Sequence, residues 1–194
     1  MTRAPQARRQ RTHDRLIAAA REIAAAEGYA AMRVEEVVLR AGVAKGTFFS
    51  HFADKDALLA VLIGEDLAQA MVEIARAPVP TTARGIADAL SPLISVMSAE
   101  RTVFDVVLRY SGAAAIEEIG PIAQNFLDQI HLLAGWISPL QGHTLRGDVP
   151  AELLAEGVQA FLIQSIAMSY CAVEGQVDRS ERLRGYLEVW LALR

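Results

Sequence analysis

Residues 33–55 read RVEEVVLRAGVAKGTFFSHFADK, and they constrain the fold more than any other stretch of the chain. Val34, Val37, Val38 and Ala41 fall at i, i+3, i+4 and i+7, the spacing of a helix that buries one face. Gly42 follows at once, and glycine readily takes the left-handed conformation that ends a helix. Val43 then offers an apolar anchor. A second segment, roughly Lys45 to Phe52, is too short to be helical alone in water. Its neighbours must hold it, and Phe48 and Phe52, four apart, are the natural anchors. Lys45, Thr47, Ser50 and His51 then point elsewhere.

Two short helices across a tight turn form the layout of a helix-turn-helix, whose second helix enters the major groove of DNA. The charge distribution fits. The chain of 194 residues carries a net −4, which excludes a uniformly basic coat. Residues 1–55 nevertheless hold ten Lys and Arg against six Asp and Glu, a net of +4, which leaves −8 for the remainder. A basic end on an acidic body suits a DNA-facing terminus, although Arg3–Arg11 alone also reads as a solvated tail.

Other classes are excluded by what the sequence lacks. Hydrophobic residues make up 53% of the chain, much of it Ala, but no uncharged apolar run approaches 18 residues. The basic N-terminus lacks an apolar core followed by a cleavage site, so no signal peptide is expected. The single Cys171 suits a reduced, cytoplasmic setting and has no catalytic neighbourhood. His13, His51, His131 and His143 are scattered without metal-ligand spacing, and no Gly-rich phosphate loop is present. No enzyme activity, metal, cofactor or membrane partner is expected.

The run Ala41-Gly42-Val43, then Gly46-Thr47, His51-Phe52 and Lys55, resembles the DNA-binding motif of TetR/AcrR-type transcriptional regulators. Leu16, Ile17, Ala20, Ile23 and Gly28-Tyr29 fit that family's first helix, so the resemblance covers about residues 10–65. Four positions depart from it. Arg33 replaces a usual Thr, Val38 an Ala, Ala44 a common Ser and Phe49 a frequent Tyr. Ala caps a helix poorly, at a cost of about 0.5–2 kcal/mol. Phe49 lacks a phenolic oxygen for a phosphate. By matching positions the resemblance places Lys45, Thr47 and Phe48 near base edges and His51 and Lys55 on phosphates; for Phe48 core is the favoured reading. Arg33 and Phe49 complete the DNA-facing set, and Arg8, Arg9 and Arg11 either enter a minor groove or screen phosphates.

Along the chain the reading is all-α with about nine helices. Residues 1–10 form a flexible basic arm, 11–55 the DNA-binding domain with its motif at 33–52, and 56–194 the effector-binding and dimerisation domain. Expected helices run from Thr12 to Glu27, Lys55 to Arg76, Thr81 or Thr82 to Ser98 with Pro92 kinking or ending its first part, and Arg101 to Ser111. Three more run from Ile116 to Ile137, Pro150 to about Glu174, and Asp178 or Ser180 almost to Arg194.

The last two carry wide apolar faces. They form either an internal hairpin or, as the resemblance implies, a four-helix homodimer interface through Leu154, Val158, Phe161, Leu183, Leu187, Trp190 and Leu191. The resemblance also implies an effector pocket. Its candidate lining is Met97, Phe104, Leu108, Phe126, Ile130, Trp136, Phe161 and Met168, each also readable as plain core. Arg101, Asp105, Arg109, Gln129 and His131 are its polar candidates, with Asp105 and Arg109 also readable as a surface ion pair. The implied function is a dimeric repressor on a near-palindromic double-stranded operator, released by a small apolar effector. The alternative is a helical small-molecule sensor or interaction protein with weak or no DNA binding.

Overall fold

Helix ends in this chain are set by side chains that satisfy free amides and by residues that cannot continue a helix. The computed structural model describes residues 3–111, 119–170 and 177–193. Among them run ten α-helices: α1 (Arg3–Glu27), α2 (Val34–Ala41), α3 (Lys45–Phe49), α4 (Lys55–Arg76), α5 (Ala83–Ala89), α6 (Ser91–Met97), α7 (Arg101–Tyr110), α8 (Pro121–Ile137), α9 (Ala151–Ser169) and α10 (Arg179–Trp190). Asp54 caps α4 by accepting from the Ala57 amide at 2.8 Å, and Thr82 caps α5 from Gly85 at 3.0 Å. Asp178 caps α10 by accepting from Ser180 and Glu181.

Three elements differ from expectation. The segment expected as a flexible arm is helical from Arg3, continuous with α1. Its Gln and Arg residues favour a helix, and the Thr12 hydroxyl donates to the Arg8 carbonyl while the Gln10 amide donates to Asp14. The helix expected from Thr81 or Thr82 to Ser98 is divided at Leu90 into α5 and α6. Pro92 lies in the first turn of α6, where its missing N–H is no loss. The recognition helix α3 is shorter than expected, ending at Phe49. Positions 112–118 and 171–176, which hold Gly112, the expected helix start at Ile116, Cys171 and Glu174, lie outside the described residues.

One continuous core runs through the molecule. Leu16, Ala20, Ile23, Val37, Phe48 and Phe52 fill the N-terminal unit, and Leu58, Leu59, Leu62, Ile63 and Leu67 along α4 carry the core into the body. There α4 packs on α6, α7 and α8, α8 packs on α9, and α10 packs on α9 and α5. The α4–α8 crossing is close at Gly64, where a Cβ would lie 2.6 Å from Pro121 Cβ. Asn125 seals that crossing by donating to the Gly64 carbonyl at 3.0 Å and the Pro121 carbonyl at 2.8 Å.

Two polar ties join the N-terminal unit to the body. Arg21 of α1 donates to the Leu62 carbonyl at 2.7 Å and pairs with Glu65 at 2.8 Å and Asp66 at 2.5 Å, and the Tyr29 hydroxyl donates to Asp66. Burial and the Asp66 carboxylate push the Tyr29 phenol well above its ordinary range, so it remains a donor. In the second tie Glu100, just before α7, accepts from the Tyr29 amide at 2.7 Å and the Ala30 amide at 2.9 Å.

Candidate nucleic-acid interface

The turn between α2 and α3 is made by Gly42, which sits at φ 62° and donates from its amide back into the last turn of α2. A side chain there would be strained, and its Cβ would lie 2.9 Å from the Arg15 guanidinium. Arg15 itself donates to the Ala41 and Gly42 carbonyls, which fixes α1 against the turn. Helix α3 is thus held by its surroundings, as its five residues require.

Of the seven residues expected to meet DNA, Phe48 is withdrawn. Its side chain is fully buried, 5.5 Å from the Phe52 ring and edge-on to Phe49 at 5.3 Å. The pairing with Phe52 one turn on decides its direction, and no base edge is open to it. Phe49 is 51% exposed. Lys45 and Arg33 are exposed, and Thr47, His51 and Lys55 are half-buried. Neither Arg33 nor Ala44 makes a side-chain cap at the start of α2 or α3.

Lys45 pairs with Glu35 across the turn at 2.6 Å, and that bond draws the Glu35 carboxyl below its usual range. Lys45 therefore exchanges a carboxylate for any DNA group it reaches. The His51 ring lies 5.7 Å from His13 of α1, and His13 stacks on Phe52 at 5.0 Å. This cross-helix pair has no local signature in the sequence.

The expected effector residues separate into groups. Met97, Phe104, Phe126 and Trp136 are buried, Ile130 and Met168 are half-buried, and Leu108 points outward at 41% exposure. Phe161 joins Tyr186 at 5.0 Å and Trp190 at 5.7 Å on the α9–α10 side, whereas Phe104 lies 5.6 Å from Tyr170. The suggested Asp105–Arg109 pair does not form: Asp105 pairs with Arg101 at 3.0 Å, and Arg109 reaches Asp56 on α4. Gln129 is buried on α8, its carbonyl 3.4 Å from the Gln159 amide. Its own amide nitrogen is the one buried side-chain polar atom among the described residues without a partner.

Residues 16–62 match the family model for bacterial regulatory proteins of the tetR family. Over that stretch the chain is similar to the tetR family. Solved structures share its fold over nearly the whole chain. Thermus thermophilus FadR, a TetR family transcriptional repressor solved with lauroyl-CoA, is 21% identical at a TM-score of 0.65, covering 91% of this chain and 92% of that one. Bacillus subtilis FadR with stearoyl-CoA is 19% identical at 0.58, covering 93% and 98%. AibR with isovaleryl coenzyme A and operator DNA is 15% identical at 0.57, covering 92% and 97%. At such identities the likeness establishes a common fold. No curated protein matches the chain by sequence.

The C-terminal helices correct a further expectation. Leu154, Val158, Leu183, Leu187 and Leu191, expected at a dimer interface, are fully buried in the chain's own core. They lie on the faces that α9 and α10 turn toward each other and toward α8 and α5. Only Phe161 and Trp190 of that set are half-exposed. Trp190 covers Gly157, where a Cβ would sit 2.5 Å from the indole, and donates to the Leu154 carbonyl at 3.1 Å. The outward apolar residues are others: Leu153 on α9, Val189 at 75% exposure on α10, and Leu193 beyond it. Among the described residues no helix is long and apolar enough to cross a membrane, and no group of three or more His, Cys, Asp or Glu is placed to hold a metal ion.

Proposed function

We propose that this chain is a cytoplasmic, dimeric transcriptional repressor that binds a near-palindromic operator and is released by an acyl thioester or similar apolar effector. The observation that carries the reading is the presentation of α3: Phe48 anchors it inward while Lys45, Thr47 and Phe49 face out beside His51. Lys45 donates to guanine, and the Thr47 methyl meets a thymine methyl. His51, Lys55 and Arg33 hold the backbone, which fixes register without reading sequence. Two copies joined through the outward Leu153, Val189 and Leu193 with Phe161 and Trp190 set two such helices about 34 Å apart, one turn of DNA.

Release needs an effector that prefers the DNA-incompetent state. The acyl-CoA molecules bound by the two FadR proteins make a long-chain acyl-CoA the first class to test. Its chain would lie among Met97, Phe104, Phe126 and Trp136, and the unpaired Gln129 amide would donate to the thioester carbonyl. Movement there reaches the DNA-binding unit through α4, Arg21–Asp66 and Glu100.

The uncapped α3 favours a rival, a sensor that has lost DNA binding. Selection of duplexes by the full chain, followed by affinity measurements at several salt concentrations, separates the two. The repressor gives a preferred sequence, affinity that falls steeply with salt, and weakening by Lys45→Ala and His51→Ala. Saturating lauroyl-CoA weakens binding about tenfold or more, within the usual range of allosteric coupling. A chain that selects no sequence, or whose two variants bind as the wild type does, supports the rival.

A further inference from the structure

Beside the recognition helix lies a second feature that the base-reading residues do not use. A cavity of about 360 Å³ opens between α1 and the end of α3, lined by Gln6, Arg9, Gln10, His13 and His51. Its lining contains donors and imidazoles and no carboxylate; the Gln10 amide donates away from it to Asp14 at 2.8 Å. Stacking on Phe52 holds the His13 ring, so the two imidazoles keep their 5.7 Å separation. Arg9 stands on the helical extension of α1, less than two turns N-terminal of Arg15, which is bonded to the helix-turn-helix turn. A cluster that brings an Arg and two His together with no counter-charge is arranged for an anion.

We propose that Arg9, His13 and His51, with Gln6 and Gln10, form a single seat for one backbone phosphate of duplex DNA, and that filling the seat draws a proton from solvent onto the His51 imidazole. The seat rests on the DNA-binding reading, which already places His51 on the backbone, and adds to it the partners from α1 and a coupling to pH. No bond breaks; one proton moves from buffer to an imidazole nitrogen, and the phosphate is its counter-ion.

The charged and titratable groups that face His51 from α1 are His13 and Arg9. In the free protein, burial first and then these two neighbours hold His51 below its ordinary value. A His depressed in this way binds fewer protons folded than unfolded, so acid below about pH 6.5 weakens the free domain. A phosphate reverses the sign. It stabilises the imidazolium, the complex takes up a proton, and DNA affinity rises as pH falls through neutrality. Free protein and complex therefore respond to acid in opposite directions.

The test uses the full chain and a labelled operator duplex obtained by selection with it. At fixed ionic strength the dissociation constant falls about fivefold or more from pH 8 to pH 6, the range over which a histidine titrates. Calorimetry of the wild type at pH 7 in two buffers of different ionisation enthalpy shows proton uptake on binding. His13→Gln and His51→Gln each flatten the pH profile, while His143→Gln, in an exposed loop, keeps it. The wild-type calorimetry stands even if His13→Gln unfolds through loss of its stack on Phe52. Selection that yields no operator overturns the DNA-binding reading and the seat with it. An operator bound with no proton uptake, or pH dependence retained in both variants, overturns the seat alone. So does competition by inorganic phosphate at sub-millimolar concentration, which would mark a site for the free anion.

Discussion

Helices α3 and α9 both carry apolar side chains that no single-sided helix needs, and they dispose of them differently. In α3, Phe48 is fully buried while its neighbour Phe49 is half in solvent, and the five residues depend on a ring pair with Phe52 and on the Gly42 turn. In α9, nineteen residues place Leu154, Ala155, Val158, Leu162 and Ile166 in the chain's own core and leave Leu153 outside. A short helix takes its orientation from one anchor that spacing reveals. A long helix with two apolar sides takes it from its neighbours, and spacing alone does not say which side belongs to a second chain.

That contrast can be broken, beginning where the effect is largest. Phe48→Ala removes the anchor of α3 and costs about 3–5 kcal/mol, the usual range for a buried aromatic truncated to Ala. Thermal melting and DNA affinity should both collapse; a variant that melts and binds like the wild type shows that α3 is held by something else. Val189→Glu tests the other helix pair. It places a charge on the outward side of α10, 75% exposed in the single chain. Sedimentation should show monomers with nearly unchanged melting, and a variant that stays dimeric locates the interface elsewhere.

Gln129→Leu comes next. It removes a buried donor with no partner, so the free protein should gain about 1 kcal/mol by the usual cost of an unsatisfied polar group, while lauroyl-CoA loses its effect on DNA binding. Loss of stability with an intact effector response would make Gln129 a structural residue only. The smallest effect belongs to Ala44→Ser. A cap on α3 is worth about 0.5–2 kcal/mol. It should appear as slower amide exchange through Lys45–Phe49 and tighter DNA binding; no change in exchange would show that the missing cap is already compensated.

Much of the N-terminal unit was legible because its signals are local. The i, i+3, i+4, i+7 pattern of α2, the left-handed Gly42, the Phe48–Phe52 spacing and the Asp54 cap each act within one or two turns. Pro92 marked the break between α5 and α6 for the same reason. Contacts across the fold left no such trace. Arg109 had Asp105 one turn away, yet it pairs with Asp56 on α4. His13 and His51 are remote in sequence and adjacent in space. The five buried leucine and valine positions of α9 and α10 looked interfacial because the two faces of each helix are alike in composition, and only packing distinguishes them. The charge of residues 1–10 suggests an arm, although Gln, Arg and Ala, good helix formers, dominate it.

The proposed repressor presents two copies of α3 together at a spacing that B-form DNA accepts. Affinity measured for a series of duplexes that carry two selected half-sites, with the separation increased one base pair at a time, decides the matter. A paired α3 gives a sharp affinity maximum near one helical turn between half-site centres, about 34 Å, with two chains bound per duplex. Affinity indifferent to the separation, or tight binding of one chain to a single half-site, would contradict it.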